Sequence, residues 1–404
     1  MQPGRHRIRD RGAAAAPAID KRVLIVARSA RVLAHAAVEG GWSPWVIDPF
    51  GDLDTRAVAY GVIQLTDLVD FQFDEKTLLK AIGVLQHQAG PMPVVLGSGF
   101  EARAEVVAAI ASRSQIHGNG PEVISSLADM PAIYRRLDAD NGVCMPLTLN
   151  NRAGDDHAWL VKASGHTGGA HVRFAKDRDS PGAGYYFQQY VPGRSISGLF
   201  IAGVSGSCLC GISAHLQWRM DPVRSFRYEG ARTLAEAPDS LLNRVQITGA
   251  EVARKLGIIG CFGMDFIQRA DDDVSLIDIN PRPTATLDLY SDKGAIFNAH
   301  MTACTNGELL YSRPARARTC GHLVLYADTS WTIPARIVWP HYVADQPAAG
   351  NVIGAGAPLC TLHASADSAR NLMSALEGLY DSFREFVDLY REGVVPREKR
   401  IRAL

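Results

Sequence analysis

No two cysteines in this chain are spaced as C-x-x-C, and neither sign of charge predominates. Seven cysteines, an odd number, are scattered from Cys144 to Cys360, which argues for free thiols in a reducing, cytoplasmic compartment. Cys208-x-Cys210 has the spacing of two side chains on one strand face rather than of a metal knuckle. Lysine plus arginine and aspartate plus glutamate number 42 each, so no global field draws the chain to nucleic acid or to a membrane. A membrane-spanning run is also missing. Ser195–Leu216 lacks Asp, Glu, Lys and Arg, but Gly198, Gly203, Gly206, Gly211 and five serines interrupt it. Two strands around a turn at Ser205–Ser207 fit that stretch better than a lipid-crossing helix. The first twenty residues carry Arg5, Arg7, Arg9 and Arg11 ahead of Ala13–Ala16. Without the apolar core of a secretory signal, they are expected to form a disordered tail.

Two nucleotide fingerprints are absent as well. Lys21–Ala27 reads as a buried strand, Ala30–Glu39 as a helix stopped by Gly40-Gly41, and Trp45–Ile47 as a second strand ending in Asp48. The turn after the first strand, Ala27–Arg31, has no G-x-G-x-x-G, which argues against a dinucleotide site. Lys162 precedes the glycines of Ser164-Gly-His-Thr-Gly-Gly169, whereas the P-loop lysine follows them. No lysine stands between Lys80 and Lys162.

What is present is ordinary soluble composition, 47% hydrophobic and 21% charged over 404 residues, with room for two or three domains. Val94–Leu96 and the helix Ala102–Ser112 extend the alternation of strand and helix, so Lys21–Ser114 reads as a small doubly wound domain. Ile116–Asn119 and helices Pro121–Asp129 and Ala132–Ala139 follow. Ala158–Ala163 is a strand bearing Lys162. A lysine ahead of a glycine-rich turn sets an ammonium and several backbone N–H groups near a phosphate chain. His166 and His171 read as solvated loop histidines. Tyr185–Tyr190 is a further strand, then Val191-Pro-Gly-Arg194.

The rest is organised around Gly260–Thr284. Phe262–Gln268 and Val274–Ile279 flank Asp271-Asp272-Asp273 and read as a β-hairpin. With the turn centred between Asp271 and Asp272, opposed residue numbers sum to about 543, so Asp265 faces Asp278, and Asn280 shares its face. Two opposed carboxylates are destabilising alone; with an amide oxygen they suit a hard cation, Mg²⁺ before Ca²⁺. Arg282 adds a fork suited to phosphate. Beyond it, a helix Ala295–Ala303 is expected, then strands Gly321–Ala327, Arg336–Trp339 and Pro358–His363 and helices Ser365–Glu377 and Leu379–Arg391, with no chemistry read in them.

Asp265, Asp278-Ile-Asn-Pro-Arg282 and the upstream Lys162 with Gly165, Gly168 and Gly169 resemble the ATP-grasp superfamily over roughly Lys21–Gly307. The resemblance implies an α/β ATP-grasp fold. Its expected parts are a pre-ATP-grasp domain at 21–115, a lid or central subdomain at 116–193, a catalytic subdomain at 194–310 and a C-terminal β-rich and helical appendage at 311–404. It implies ATP with Mg²⁺ or Mn²⁺ held by Asp265, Asp278 and Asn280, and phosphate contacts from Lys162, Gly165, Thr167, Gly168 and Gly169. It places adenine against Gln188, Gln189, Tyr190 and Val191, and gives Arg282 and Lys162 catalytic roles. The implied reaction joins a small-molecule carboxylate to an amine through an acylphosphate; Ser29–Arg31 and Gly97–Glu101 are candidates to bind either, and a homodimer is allowed. The chain departs from the family pattern at Asp278 and Gln188, where glutamate is usual, at Ser195, and in lacking the lysine before the lid, with Arg135 and Arg136 the nearest cations. Ser29–Ala34 and Asp48–Thr55 are similar to ATP-grasp proteins found with methanopterin and methylofuran biosynthesis, which implies an amino acid such as glutamate as one substrate.

Overall fold

The computed structural model describes residues 21–393 except 67, 70–71, 139–142, 152–156, 177–181, 219–225, 271–272 and 316–317. The tail expectation for 1–20 and the centre of the hairpin turn lie outside the described residues.

β1 (Arg22–Val26), α1 (Arg31–Glu39), β2 (Ser43–Asp48), α2 (Leu53–Val58) and β3 (Gly61–Gln64) open the chain. A two-residue hairpin, β4 (Leu68–Val69) and β5 (Gln72–Phe73), leads into α3 (Glu75–Ala89), β6 (Val94–Leu96) and α4 (Ala104–Ala111). The parallel sheet runs β3-β2-β1-β6. Val23–Val26 are fully buried, as expected of a central strand covered on both faces. Val23 and Ile25 pack with α1 through Leu33 and Ala37, whereas Leu24 and Val26 pack with α3 and α4 through Leu78, Ile82 and Val107. The segments that follow β1 and β6 reach the rest of the chain, Arg28 bonding Thr167 and Glu101 bonding Arg282.

α5 (Pro121–Leu127) and α6 (Met130–Asp138) precede an antiparallel sheet ordered β7-β10-β8-β9, from β7 (Thr148–Leu149), β8 (Trp159–Ala163), β9 (Arg173–Phe174) and β10 (Tyr185–Gln189). β11 (Arg194–Gly203) and β12 (Gly206–His215) are the two strands read from the charge-free stretch, and they pair antiparallel. No helix among the described residues is long and apolar enough to cross a membrane. β13 (Gly230–Thr233), α7 (Asp239–Leu256), β14 (Gly260–Gln268), β15 (Val274–Asn280), a 3₁₀ turn (Ala285–Leu289) and α8 (Lys293–Asn306) follow.

The segment after residue 311 is not set apart from the central sheet. β16 (Thr319–Tyr326), β17 (Trp331–Thr332), β18 (Val343–Ala344), β19 (Val352–Ile353) and β20 (Pro358–Ala366) include three strands that extend one eight-stranded sheet, ordered β15-β14-β11-β12-β13-β16-β20-β18. Arg336–Trp339 is not a strand; Trp339 instead stacks on Phe383. The two helices expected at the end are one, α9 (Ala369–Arg391). Gly378 does not break it, because the buried stripe Leu372, Leu376, Phe383, Phe386, Val387 and Tyr390 continues across it. That burial outweighs the roughly 1 kcal/mol a mid-helix glycine costs.

Candidate active site

Asp265 lies opposite Asp278, and Gly263 opposite Asn280. Nearer the turn the pairs are Phe266–Leu276, Ile267–Ser275 and Gln268–Val274, so Ile277 is an inserted, unpaired residue. A bulge re-aims side chains by one position. Without it, the register beside the turn would set Asp265 against Ile277. The bulged residue has a second use, since its carbonyl accepts from Lys162 Nζ at 3.0 Å. Burial raises the Asp278 pKa; Lys162 pulls it down and Asp265 adds to the rise. Asp265 accepts from Asn280 Nδ2 at 3.3 Å.

Lys162, central on β8, is 7% exposed. Burial lowers its pKa while Asp278 and Asp265 oppose that. Its ammonium also donates to Gln188 Oε1 at 3.2 Å. Gln188 is 1% exposed, and its amide donates to Thr148 Oγ1 at 3.2 Å. The structure therefore places Gln188 away from its expected role: its carbonyl oxygen holds the lysine instead of facing a base. Within the segment expected to face adenine, the N–H groups of Gln189 and Tyr190 donate to the Leu147 and Ala158 carbonyls. Phe174 and Tyr190 stand exposed beside it with ring centroids 5.1 Å apart.

The glycine loop rests on neighbouring segments. Thr167 Oγ1 accepts from Arg28, and Tyr228 N–H donates to the Gly168 carbonyl at 2.9 Å. Gly165 and Gly169 have φ of 66° and 72°. A Cβ at Gly165 would lie 2.1 Å from Ala102 Cβ, and one at Gly169 would lie 1.9 Å from the Phe226 carbonyl oxygen. Both glycines are thus required by the docked loop. Gly169→Ala is expected to weaken ATP binding about tenfold, the size of one strained backbone residue, with little change in melting temperature because the undocked loop bears no clash. Unaltered affinity in an ATP titration would contradict that role. His171 is not the solvated loop residue expected: its Nδ1 is buried with no partner among the described residues, and burial with nearby Lys162 lowers its pKa to about 4. His166 lies beside it, with ring centroids 5.4 Å apart.

Arg282 is more committed than a free phosphate fork. Its Nε donates to Glu101, Nη1 to the Pro283 carbonyl at 3.1 Å and Nη2 to Asn280 Oδ1 at 3.2 Å. Three of its five donors are used and two remain. Burial raises the Glu101 pKa, but Arg282 and the Gly99 N–H more than offset it and hold the carboxyl below its usual range. The Gly97–Glu101 segment so meets the hairpin end. Arg136 donates instead to the Lys255 carbonyl, and both Arg135 and Arg136 are exposed, so Arg136 does not take the place of the missing lysine.

Sequence reasoning missed His215. Its Nδ1 lies 3.0 Å from Ser195 Oγ and its Nε2 lies 2.6 Å from Ser197 Oγ, which in turn donates to Asp265. The available signal was Ser195-x-Ser197, two hydroxyls on one face of an apolar strand; their partner was not readable, because it comes from β12 across the turn.

A family model described as an ATP-grasp domain matches residues 127–286. The structure is similar to biotin carboxylase from Campylobacter jejuni, at 13% identity and TM-score 0.69, covering 89% of this chain and 91% of that one. It is similar to L-amino acid ligase from Bacillus licheniformis at 14% identity and TM-score 0.65, over 89% and 97%. N5-carboxyaminoimidazole synthetase from Staphylococcus aureus, complexed with ADP, matches at 15% identity and TM-score 0.63, over 90% and 97%. No curated protein matches the chain in sequence. The fold is the ATP-grasp fold: a parallel α/β sheet followed by antiparallel sheets.

Proposed function

We propose that, on this ATP-grasp scaffold, the chain is an ADP-forming ligase that joins a carboxylate to an amine. The observation that carries the reading is the meeting of Lys162 with the opposed pair Asp265 and Asp278, made by the Ile277 bulge. Asp265, Asp278 and Asn280 would hold Mg²⁺ or Mn²⁺: the donors are hard oxygens, and two carboxylates directly opposed across the hairpin call for a cation between them. When bound, the ion neutralises charge on the transferred phosphoryl oxygens.

The chain's own groups do the rest. Lys162, held by Gln188 and the Ile277 carbonyl, presents its ammonium to the α- and β-phosphates. Gly165, Thr167, Gly168 and Gly169 cover the β/γ end, and Val191 meets the base. The substrate carboxylate attacks the γ-phosphate to give an acylphosphate and ADP; the amine then attacks the carbonyl carbon and phosphate leaves. The two remaining Arg282 donors stabilise the acylphosphate, while its bond to Asn280 keeps that amide in place. Residues 116–193 act as the lid that excludes water from this intermediate. The reading of an amino acid as one substrate rests on the Ser29–Ala34 and Asp48–Thr55 segments.

A nucleotide-binding protein without turnover is the second reading, favoured by the absence of a lysine between Lys80 and Lys162. Phosphate release from ATP in carboxylate–amine mixtures tests the choice: release needing both partners supports the ligase, and release with bicarbonate alone points to carboxylase chemistry. ATP is also expected to raise the melting temperature only with Mg²⁺ or Mn²⁺ present, because the bare acid face repels triphosphate. Equal stabilisation in excess EDTA would contradict the metal site.

A further inference from the structure

We propose that Asp288, His322 and His363 form a second metal site, for a first-row transition ion of the Zn²⁺ class. One ligating atom from each lies within 4.8 Å of the other two. The three come from separate places: Asp288 from the 3₁₀ turn after the hairpin, His322 from β16 and His363 from β20. β16 and β20 pair so that His322 and His363 stand directly opposite each other. Their ring centroids are 5.8 Å apart.

Two features separate this cluster from chance proximity. His322 is 2% exposed, and its Nδ1 is buried with no hydrogen-bond partner among the described residues. Its other nitrogen is bonded to Tyr228 Oη at 2.7 Å. A ligating histidine commonly donates its second ring N–H to such a partner, which fixes the tautomer and frees the first nitrogen for metal. Burial, with His363 nearby, lowers His322 to about 3, so the ring is neutral at neutral pH. His363 Nε2 lies 3.0 Å from Asp288 Oδ2, the oxygen that Arg31 also contacts. Ligands at metal bonds of about 2.0–2.1 Å in a tetrahedral site stand about 3.3 Å apart, close to the 3.0 Å of this pair.

The donor chemistry selects the ion. Two imidazoles and a carboxylate suit Zn²⁺, Co²⁺ or Fe²⁺, whereas Mg²⁺ and Ca²⁺ take oxygen. The surroundings tolerate positive charge. Arg31 is ion-paired to Asp288, to Asp345 at 2.7 Å and to Asp54 at 3.7 Å, so three carboxylates face one guanidinium. Three protein ligands leave a position open for water or an oxygen-bearing substrate. The site is distinct from the phosphate-side acids; Tyr228 stands between them, its ring 5.3 Å from His215.

Cobalt reports on this site directly. The full chain, stripped with chelator and saturated with Mg²⁺, is titrated with Co²⁺ and followed by visible absorption. The expected result is one Co²⁺ per chain, displaced by Zn²⁺, without thiolate charge-transfer absorption. His363→Ala should weaken binding at least about tenfold, the lower range for loss of a supporting group alone; Asp265→Asn should leave the band unchanged. A titration without saturation, or a band unaffected by His363→Ala, would overturn the site. X-ray absorption on the Zn²⁺-loaded wild-type chain guards against a misfolded variant. Two imidazoles and no sulfur support the assignment, and sulfur at about 2.3 Å refutes it.

Discussion

Asp278→Asn is expected to lower phosphoryl transfer by about 10²–10³-fold, the loss seen when one preorganised charge-stabilising group is removed, while the protein stays folded. The two effects have opposite signs for one physical reason. Asp278 is half-buried beside Lys162 with Asp265 opposite, and its removal from water raises its pKa. A carboxyl raised in the folded state costs stability as pH climbs through its ionisation, so the penalty is present at neutral pH and disappears on acidification. Asparagine carries none of that penalty and relieves a like-charge cross-strand contact of about 0.2–1 kcal/mol. The melting temperature should therefore hold or rise as activity falls. An Asp278→Asn protein that is more stable and equally active would show that the pair merely faces the cleft.

Lys162→Met should be nearly as damaging, by about 10²-fold in kcat/KM for ATP, since it removes one charged contact aimed at developing negative charge. Methionine approximates the stem but strands the Ile277 carbonyl and Gln188 Oε1, both of which accept from the ammonium. It also removes the positive charge that holds Asp278 down. The acid limb of the pH–rate profile should consequently move to higher pH, a change that a lysine with only a structural role would not produce. A loss of rate with an unmoved acid limb would separate Lys162 from the acid pair.

The order of strands, the hairpin and the position of Lys162 ahead of its glycines were legible from the chain. Short-range pattern carries them: alternating apolar residues, glycine stops and a turn-rich acidic tripeptide act within about ten residues of one another. The opposition of Asp265 and Asp278 was also legible, although as part of one unbroken register, whereas the described pairs nearer the turn are shifted by one residue. A bulge at Ile277 restores the pairing, and no local signal marked it. The resemblance sets Gln188 against adenine, and nothing in the strand pattern says that Lys162 will claim its carbonyl oxygen.

By itself the sequence determined the element types and the chemistry of the donor set, because local propensity and side-chain identity need no partner. Only the tertiary structure decided which donors meet. The His322–His363 pairing, the joining of residues beyond 311 to the central sheet, and the claim of Glu101 on Arg282 all link positions distant along the chain. Strand pairing and buried charge compensation are non-local: their free energy depends on which surfaces the completed fold removes from water, and that is fixed when the sheets close.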